Sequence, residues 1–214
     1  MGRIEVICSY ITVSETFADV GCDHGYCAKY AIESGLCEKV YITDISAKCL
    51  EKAEKLLAKY IAGGKCEAVC CDGLTGIGED CEQVLIAGMG GEEILKIIKS
   101  SFIPRKFIFQ PMKNAPELRS YLIESGCKIT VDDIFYDGKY YFIIVGEREG
   151  GTVPYSQTEL LFGRDSLNNP VVKNYALAEA EKQNRYLQST MSDNSREKIV
   201  NKYKIYMEVA KNDR

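Results

Sequence analysis

The stretch "FADVGCDHGYCAKY", residues 17–30, joins a short apolar run to a helical pattern through a turn that contains Gly21 and Gly25. A strand, a glycine-rich turn and a helix in this order form the first unit of an open parallel sheet. Ligands of such sheets bind beyond the carboxyl ends of the strands, where glycine lets the backbone approach them closely. The stretch therefore predicts an α/β fold with a ligand site at this turn.

The alternation of strands and helices continues along the chain. Ser46 and Gly63 bracket a helical pattern as N-cap and C-terminal glycine, and Asp137-Gly138, flanked by two alternating segments, favours a β-hairpin. Further strand-like runs are "KVYITDI", "CEAVCCD", "QVLIAGMGG" and "KFIFQP", and further helical patterns are "SAKCLEKAEKLLAKYIAGG", "EEILKIIKSSF" and "APELRSYLIESG". We expect a Rossmann-like, mostly parallel sheet whose last strand is antiparallel, with helices on both faces.

The composition changes at about residue 156, where "YSQTELLFGRDSLNNP" predicts a linker with one short apolar element. Residues 171–190 and 194–212 have helical patterns separated by "SDN", which predicts an antiparallel helical hairpin. The apolar stripes expected to pack are Leu177, Ala180, Asn184, Leu187 and Met191, and Ile199, Tyr203, Tyr206 and Ala210. The sequence thus predicts a domain at 1–155 and a small helical domain at 156–214.

Charge and hydropathy limit the classes of function. The 214 residues are 46% apolar, and no apolar run reaches the roughly 18 residues of a membrane span. Without a signal-peptide pattern at the start, we expect a cytoplasmic protein. The net charge of −4 divides into −6 for residues 1–150 and +2 for residues 151–214, so the tail is the more basic part.

The cysteines and the single histidine do not form a metal pattern. All ten cysteines lie between Cys8 and Cys127 without a Cys-x-x-Cys pair, so we expect reduced, mostly buried thiols and no metal site. Cys22 and Cys27 flank His24, but a tight turn offers no third group that would orient the histidine as a base for a thiolate. Two interpretations of His24 stay open: it lines the pocket, or it caps the following helix.

Acidic residues at three successive strand ends indicate the ligand. The turn has Gly-x-x-x-Gly spacing, which argues against a dinucleotide. Asp19 and Asp23 suit an amino-acid end, Asp44 suits ribose hydroxyls, and Asp72 with Leu74 suits an adenine ring. S-adenosyl-L-methionine has these groups. The predicted cofactor-binding residues are Asp19, Gly21, Asp23, His24, Gly25, Asp44, Ile45, Asp72, Gly73, Leu74, Ala87, Gly88 and Met89.

Five segments carry a family resemblance: "DVGCDHGY", "VYITDIS", "CCDGLTGI", "VLIAGMGG" and "FIFQPMKNAPELRSYL". In this order and spacing they resemble the bacterial tRNA (adenine-N1)-methyltransferases that act on adenine 22 of the D-arm. The resemblance implies a class I methyltransferase fold followed by a coiled-coil-like domain. It also implies methyl transfer from S-adenosyl-L-methionine to tRNA, with tRNA as the partner.

The residues near the fourth strand fit the implied chemistry. Adenine N1 has an in-plane lone pair and needs no general base, and Gly88–Gly91 stands where enzymes that methylate exocyclic amines often have an Asn/Asp-Pro-Pro-aromatic motif. The cationic product base favours a nearby carboxylate, for which Asp23 is the candidate. Predicted catalytic residues are Asp23, His24 and Gln110, and predicted substrate-binding residues are Gly90, Gln110, Pro111, Met112, Lys113 and Arg119. Two alternatives stay open: Gly88–Gly91 is only a tight strand-to-helix turn, and Gln110-Pro111 only ends a strand. Candidate phosphate contacts in the tail are Lys173, Lys182, Arg185, Arg196, Lys198, Lys202 and Lys204. The alternative is that these side chains form only the solvated face of the helices.

Other functions share parts of this pattern. A class I methyltransferase for a small molecule or a protein would have the same fold and cofactor. A non-catalytic RNA-binding protein could retain the pocket, although the intact acid series argues against it. An NAD-dependent oxidoreductase is disfavoured by the glycine spacing. The sequence leaves the oligomeric state open.

Overall fold

A seven-stranded sheet organises the molecule in the computed structural model, which describes residues 2–211. The strands are β1 Ser14–Val20, β2 Cys37–Asp44, β3 Cys66–Cys70, β4 Gln83–Ala87, β5 Lys106–Gln110, β6 Lys128–Tyr136 and β7 Tyr140–Glu147. Their order in the sheet is β3-β2-β1-β4-β5-β7-β6. Neighbouring strands from β3 to β5 are parallel, and β7 runs antiparallel to both β5 and β6. The predicted mostly parallel sheet with an antiparallel last strand is confirmed.

Helices cover both faces of the sheet. They are α1 Arg3–Cys8, α2 Tyr26–Glu33, α3 Ala47–Ala62, α4 Gly91–Ser100, α5 Ala115–Glu124, α6 Gln157–Phe162, α7 Val171–Leu187 and α8 Asp193–Lys211. One apolar cluster holds buried residues of α1, α2 and α3, such as Leu57, and a second holds buried residues of α4 and α5, such as Ile94. Ser46 caps α3 as predicted, because its hydroxyl accepts a hydrogen bond from the Cys49 amide at 3.4 Å. None of the helices within residues 2–211 has the length and apolar content to cross a membrane.

The first helix was not predicted. α1 is only six residues long, so its sequence contains too few turns for an apolar period to be recognised. It buries Ile7 and Cys8 against the rest of the core. The Arg3 amide donates a hydrogen bond of 2.7 Å to Oδ2 of Asp137, in the β6–β7 turn. This contact holds the start of α1 at the carboxyl end of the sheet.

The segment predicted as a linker is a packed element. α6 begins with a reciprocal cap between Ser156 and Glu159 and buries Phe162 completely. A 3₁₀ turn at Asp165–Asn168 follows, and Oδ2 of Asp165 accepts a hydrogen bond of 2.8 Å from the Asp132 amide of β6. Backbone groups at the outer edge of the sheet are thereby satisfied. Residues 157–168 are therefore packed elements, and the domain division at residue 155 stays a prediction.

The two tail helices form the predicted hairpin, and residue 212 of the second predicted helix lies outside the described residues. The predicted stripe on α7 is partly wrong, because Leu177 is 45% exposed. Ala180 of the predicted stripe is buried, together with Val172 and Ala176, which were not predicted. The ring of Tyr175 contacts Phe142, Phe162 and Tyr206 edge-on. Small alanines allow this close approach, which a search for large apolar side chains overlooks. The tail therefore packs on the sheet through α6 and α7.

Candidate cofactor and acceptor site

A cavity of about 790 Å³ opens at the carboxyl ends of the central parallel strands. Its lining includes most of the predicted cofactor residues, namely Asp19, Gly21, Asp23, His24, Asp44, Ile45, Asp72, Gly73, Ala87, Gly88 and Met89. Gly25 and Leu74 do not line it. The acidic residues that sequence spacing placed at three strand ends therefore share one cavity. Within residues 2–211, no group of three or more His, Cys, Asp or Glu side chains could hold a metal ion.

The first turn depends on its glycines. Gly21 has a φ of +70°, and a Cβ there would collide with Cε of Met89. The amides of Gly21 and Cys22 donate to the Thr43 carbonyl oxygen at 2.8 and 3.0 Å, so these two donors hold the turn against β2 and do not face a ligand. Gly25 packs towards α3, where its Cβ would lie 3.0 Å from Cβ of Ala53. It lets the turn approach the helix and lies outside the cavity lining.

Asp19 is a buried carboxyl group at the base of the cavity. Its Oδ2 accepts a hydrogen bond of 3.1 Å from the Ala28 amide. Burial raises the pKa of Asp19 to about 7, and the Ala28 hydrogen bond offsets only part of the effect. A cationic ammonium group bound in the cavity would stabilise the ionised carboxylate. The chemistry of this position therefore fits the amino-acid end of S-adenosyl-L-methionine.

Asp44 and Asp72 line the cavity at the ends of β2 and β3. Oδ1 of Asp44 accepts a hydrogen bond of 2.8 Å from the Ser46 amide, which orients the carboxylate at the end of β2. The prediction that Leu74 packs on an adenine ring is not supported, because Leu74 is 1% exposed and belongs to the core. Ile97 of α4 and the highly exposed Ile45 supply apolar surface at the cavity instead.

His24 lies at the mouth of the cavity. Its ring stacks on Tyr26 with centroids 5.5 Å apart, and its Nε2 lies 3.7 Å from Oδ2 of Asp23. Gly25 is the N-cap of α2, which has no side-chain cap, so the helix-capping interpretation of His24 finds no support. Asp23 adopts a φ of +44° and pairs with Lys52, whose Nζ is 3.0 Å from Oδ1. The Asp23 carboxylate is thus held in place while 59% exposed.

The acceptor side differs from the prediction. Gln110 is completely buried, with Oε1 accepting from Nε of Arg3 at 2.8 Å and Nε2 donating to the Pro111 carbonyl oxygen at 3.2 Å. Because its amide is occupied, the predicted direct contact of Gln110 with adenine is corrected: Gln110 supports Arg3, which lines the cavity. Gly90, Pro111, Met112 and Lys113 follow the ends of β4 and β5 outside the cavity lining, and Met112 is 45% exposed.

Arg119 was predicted to bind substrate at the cavity mouth, and this is wrong. Its side chain is 0% exposed, and Nε lies 2.8 Å from Oδ2 of Asp132. One terminal nitrogen donates to the Leu160 carbonyl oxygen at 2.9 Å, and the guanidinium covers the Phe142 ring at 4.6 Å. The charge points inward because β6 provides a buried carboxylate. Arg119 therefore joins α5, β6 and α6 and cannot reach a surface ligand.

Several cavity residues were missed by the sequence analysis. Arg3 and Ile4 come from the unpredicted α1, and Lys96 and Ile97 come from α4. Tyr26 stands within the opening stretch, where its position directly after Gly25 was the available signal. The others carry no local signal, because only the packing of α1 and α4 brings them to the cavity.

Comparison with known proteins agrees with this geometry. A family model described as "Methyltransferase domain" matches residues 1–145. A "putative tRNA methyltransferase" of Mycoplasma pneumoniae is 26% identical over 172 residues, covering 78% of this chain and 80% of the relative. The tRNA (adenine(22)-N(1))-methyltransferase of Bacillus subtilis is 25% identical over 168 residues, covering 75% of this chain and 70% of the relative.

A solved structure extends the likeness to the tail. The Streptococcus pneumoniae "putative tRNA (m1A22) methyltransferase", crystallised with S-adenosyl-L-methionine, superposes with a TM-score of 0.86 at 26% identity. The match covers 97% of this chain and 98% of that one, so it includes the helical hairpin as well as the sheet. With a family model that spans residues 1–145 and a cavity at the expected sheet edge, the chain belongs to the methyltransferase domain family.

Proposed function

We propose that this protein transfers a methyl group from S-adenosyl-L-methionine to N1 of adenine 22 in tRNA. The observation that carries the proposal is the single cavity that gathers the acids of three adjacent strand ends, next to the Gly88–Gly91 turn. The relatives from Bacillus subtilis and Streptococcus pneumoniae support the acceptor, since their names specify position 22 of tRNA.

The chain's own residues fit the cofactor. Asp19, Asp44 and Asp72 all line the cavity. In this proposal Asp44 accepts hydrogen bonds from the ribose hydroxyls, Asp72 accepts from the adenine amino group, and Asp19 balances the ammonium group. Gly21 and Gly88, with φ of +70° and +82°, keep the backbone at both sides free of side chains. The cofactor supplies a methyl group that its sulfonium makes electrophilic.

The acceptor needs positioning more than proton transfer. Adenine N1 is neutral at pH 7 with an in-plane lone pair, so no residue has to remove a proton before attack. Holding N1 in line with the bond that breaks accounts for much of the rate in such reactions. Asp23 is the candidate that stabilises the positive charge of the methylated base. Because Lys52 already pairs with Asp23, we expect Asp23→Asn to lower kcat by about tenfold or less.

The tail supplies cations for the tRNA backbone. Arg185, Lys198, Lys202 and Lys204 are exposed on α7 and α8, while Lys182 pairs with Glu179 at 3.3 Å. Arg196 donates to the Leu187 carbonyl oxygen at 3.2 Å and so also closes the end of α7. Phosphate contacts position an RNA without reading its sequence. An adenine inside a folded arm must then swing out to enter the cavity.

Mass-spectrometric nucleoside analysis tests the proposal. Unmodified tRNA is incubated with the protein and S-adenosyl-L-methionine, and a matched tRNA carries guanine at position 22. We expect one N1-methyladenosine per tRNA in the first and none in the second. Methylation of both tRNAs would refute the position. No methylation of tRNA by a protein that binds S-adenosyl-L-homocysteine would favour a small-molecule or protein acceptor, or an RNA-binding protein without activity.

A further inference from the structure

The guanidinium of Arg3 is a cation that contacts from several elements hold in place. Nε donates to Gln110, the group lies over the Tyr141 ring at 5.3 Å, and the Arg3 amide is tied to Asp137. Among residues 2–211, no carboxylate forms an ion pair with this guanidinium. Three contacts from three separate elements therefore hold a positive charge that no carboxylate in the described part of the chain pairs with.

The free edge of this guanidinium faces the cavity. On one edge of the guanidinium, Nε donates its hydrogen to Oε1 of Gln110. The two terminal amino groups form the other edge and can donate to a ligand. One of them would lie 2.9 Å from a Cβ on Gly88, so the missing side chain at Gly88 makes room for it. Arg3 itself lines the cavity. A planar fork of N–H donors in this setting matches the oxygen atoms of a phosphate or a carboxylate.

The place of Arg3 in the fold identifies the end of the cavity that it serves. Of the acids suited to ribose and adenine, Asp44 is the last residue of β2 and Asp72 follows β3. Arg3 contacts Gln110 at the end of β5, Tyr141 in β7 and the turn after β6. The sheet order puts β5 and β7 on the opposite side of β1 and β4 from β2 and β3. Arg3 therefore belongs to the side where an acceptor enters.

The positive charge of Arg3 determines whether it can bind the base or a phosphate of an acceptor nucleotide. The adenine ring becomes cationic as N1 is methylated, so a guanidinium against the ring would oppose the reaction. A phosphate gains from the same guanidinium throughout the reaction, and a two-point contact restricts how the attached nucleotide can rotate. We propose that Arg3 binds a phosphate of the acceptor nucleotide and, supported by Gln110, sets the depth at which its base enters the cavity. This inference rests on the proposed tRNA substrate.

Substitution of Arg3 tests this role with a matched arginine as control. Arg3→Gln removes the charge, and Arg3→Lys keeps the charge without the fork. Arg105→Gln is the control, because Arg105 is 69% exposed, pairs with Glu82 at 3.7 Å and precedes β5 at its far end from the cavity. Each variant is compared with the wild type for tRNA affinity against salt, for KM and kcat with tRNA, and for calorimetric affinity for S-adenosyl-L-homocysteine.

We expect Arg3→Gln to raise the KM for tRNA about tenfold or more and to lower the salt slope of tRNA binding by about one unit. Its affinity for S-adenosyl-L-homocysteine should stay within about twofold of the wild type, as one lost phosphate contact does not concern the cofactor. Arg3→Lys should recover the salt slope but not the full kcat, because a point charge orients a phosphate less well than a fork. Arg105→Gln should match the wild type in every measurement.

Three results would overturn the inference. Weaker binding of S-adenosyl-L-homocysteine with an unchanged salt slope would assign Arg3 to the carboxylate of the cofactor. If Arg3→Gln has the same tRNA affinity, salt slope, KM and kcat as the wild type, Arg3 has only a structural role through its contacts with Gln110 and Tyr141. If Arg3→Gln and Arg105→Gln weaken tRNA binding equally, the loss is a general effect of the protein's charge and not of the position of Arg3. If the wild type fails to methylate tRNA at all, the proposed function fails, which this comparison separates from a failure of Arg3.

Discussion

Nε of Arg119 lies 2.8 Å from Oδ2 of Asp132, and both side chains are sealed from solvent. The pair connects α5 to the strand at the sheet edge, and one terminal nitrogen of Arg119 donates to the Leu160 carbonyl oxygen of α6. Removing one member of a buried pair leaves the other as an uncompensated charge. We expect Arg119→Met to lower the free energy of unfolding by about 3–5 kcal/mol, measured by denaturant unfolding. Arg105→Ala, which breaks an exposed pair, should change it by less than about 1 kcal/mol.

A second prediction concerns where the chain can be shortened. A chain that ends at residue 155 lacks Leu160, the fully buried Phe162 and the contact of Asp165 with β6, so we expect it to aggregate or to unfold. A chain that ends at residue 170 keeps these contacts and should bind S-adenosyl-L-homocysteine, measured by calorimetry. If both shortened chains fold equally well, residues 156–170 are the linker that their composition indicates.

Residues at strand ends can be placed from the sequence, whereas residues whose neighbours come from the packing of distant elements cannot. Asp44 and Asp72 could be placed in one site, because strand ends are local features and parallel strands end at the same edge. Arg119 could not, because its partner Asp132 becomes its neighbour only when α5 packs on β6. The same limit applies to Arg3, because the six residues of α1 are too few to show an apolar periodicity. It also applies to Ala176, because its burial depends on the neighbouring rings of Phe142 and Phe162 rather than on its own hydrophobicity.

The third prediction addresses the ribose contact. Asp44→Ala should weaken binding of S-adenosyl-L-methionine by about 1.5–3 kcal/mol, the scale of hydrogen bonds to a charged group. Isothermal titration calorimetry on the folded variant measures the loss. Glu67→Ala is the control, because Glu67 is an exposed acid of the neighbouring β3 that pairs with Lys39 outside the cavity. Equal affinity in the Asp44 variant and the wild type would remove Asp44 from the site.

The fourth prediction is a pH dependence caused by Asp19. Burial raises the pKa of this carboxyl group from 3.8 to about 7, so between these values the folded protein holds a proton that the unfolded chain has lost. The associated stability is complete below pH 3.8 and is lost as the pH rises towards 7. Asp19→Asn keeps an acceptor for the Ala28 amide without titrating. The stability of the wild type relative to this variant should fall by about 1.4 kcal/mol per pH unit between roughly pH 4.5 and 6.5.

The same group should couple cofactor binding to a proton. A bound ammonium group favours the ionised form of Asp19, so the affinity for S-adenosyl-L-methionine should rise with pH up to about 7 and then level off. Calorimetry in two buffers with different heats of ionisation would detect the released proton, and Asp19→Asn should abolish the release. A stability difference that is flat with pH, together with binding that releases no proton, would contradict a titrating Asp19.

The last prediction assigns the tail lysines to RNA binding. Lys198, Lys202 and Lys204 are exposed on α8, and no cavity residue lies on that helix. Changing all three to glutamate should weaken tRNA binding and reduce its salt slope by about one unit for each phosphate contact that is lost. Binding of S-adenosyl-L-homocysteine should not change.

The matched control changes Lys29, Lys55 and Lys59 to glutamate. These lysines lie on α2 and α3 and pair with Glu33 or Glu51. If the tail variant and the control have the same salt dependence as the wild type, α8 serves the packing of the sheet or contact with a second chain, and the tRNA must be held around the mouth of the cavity.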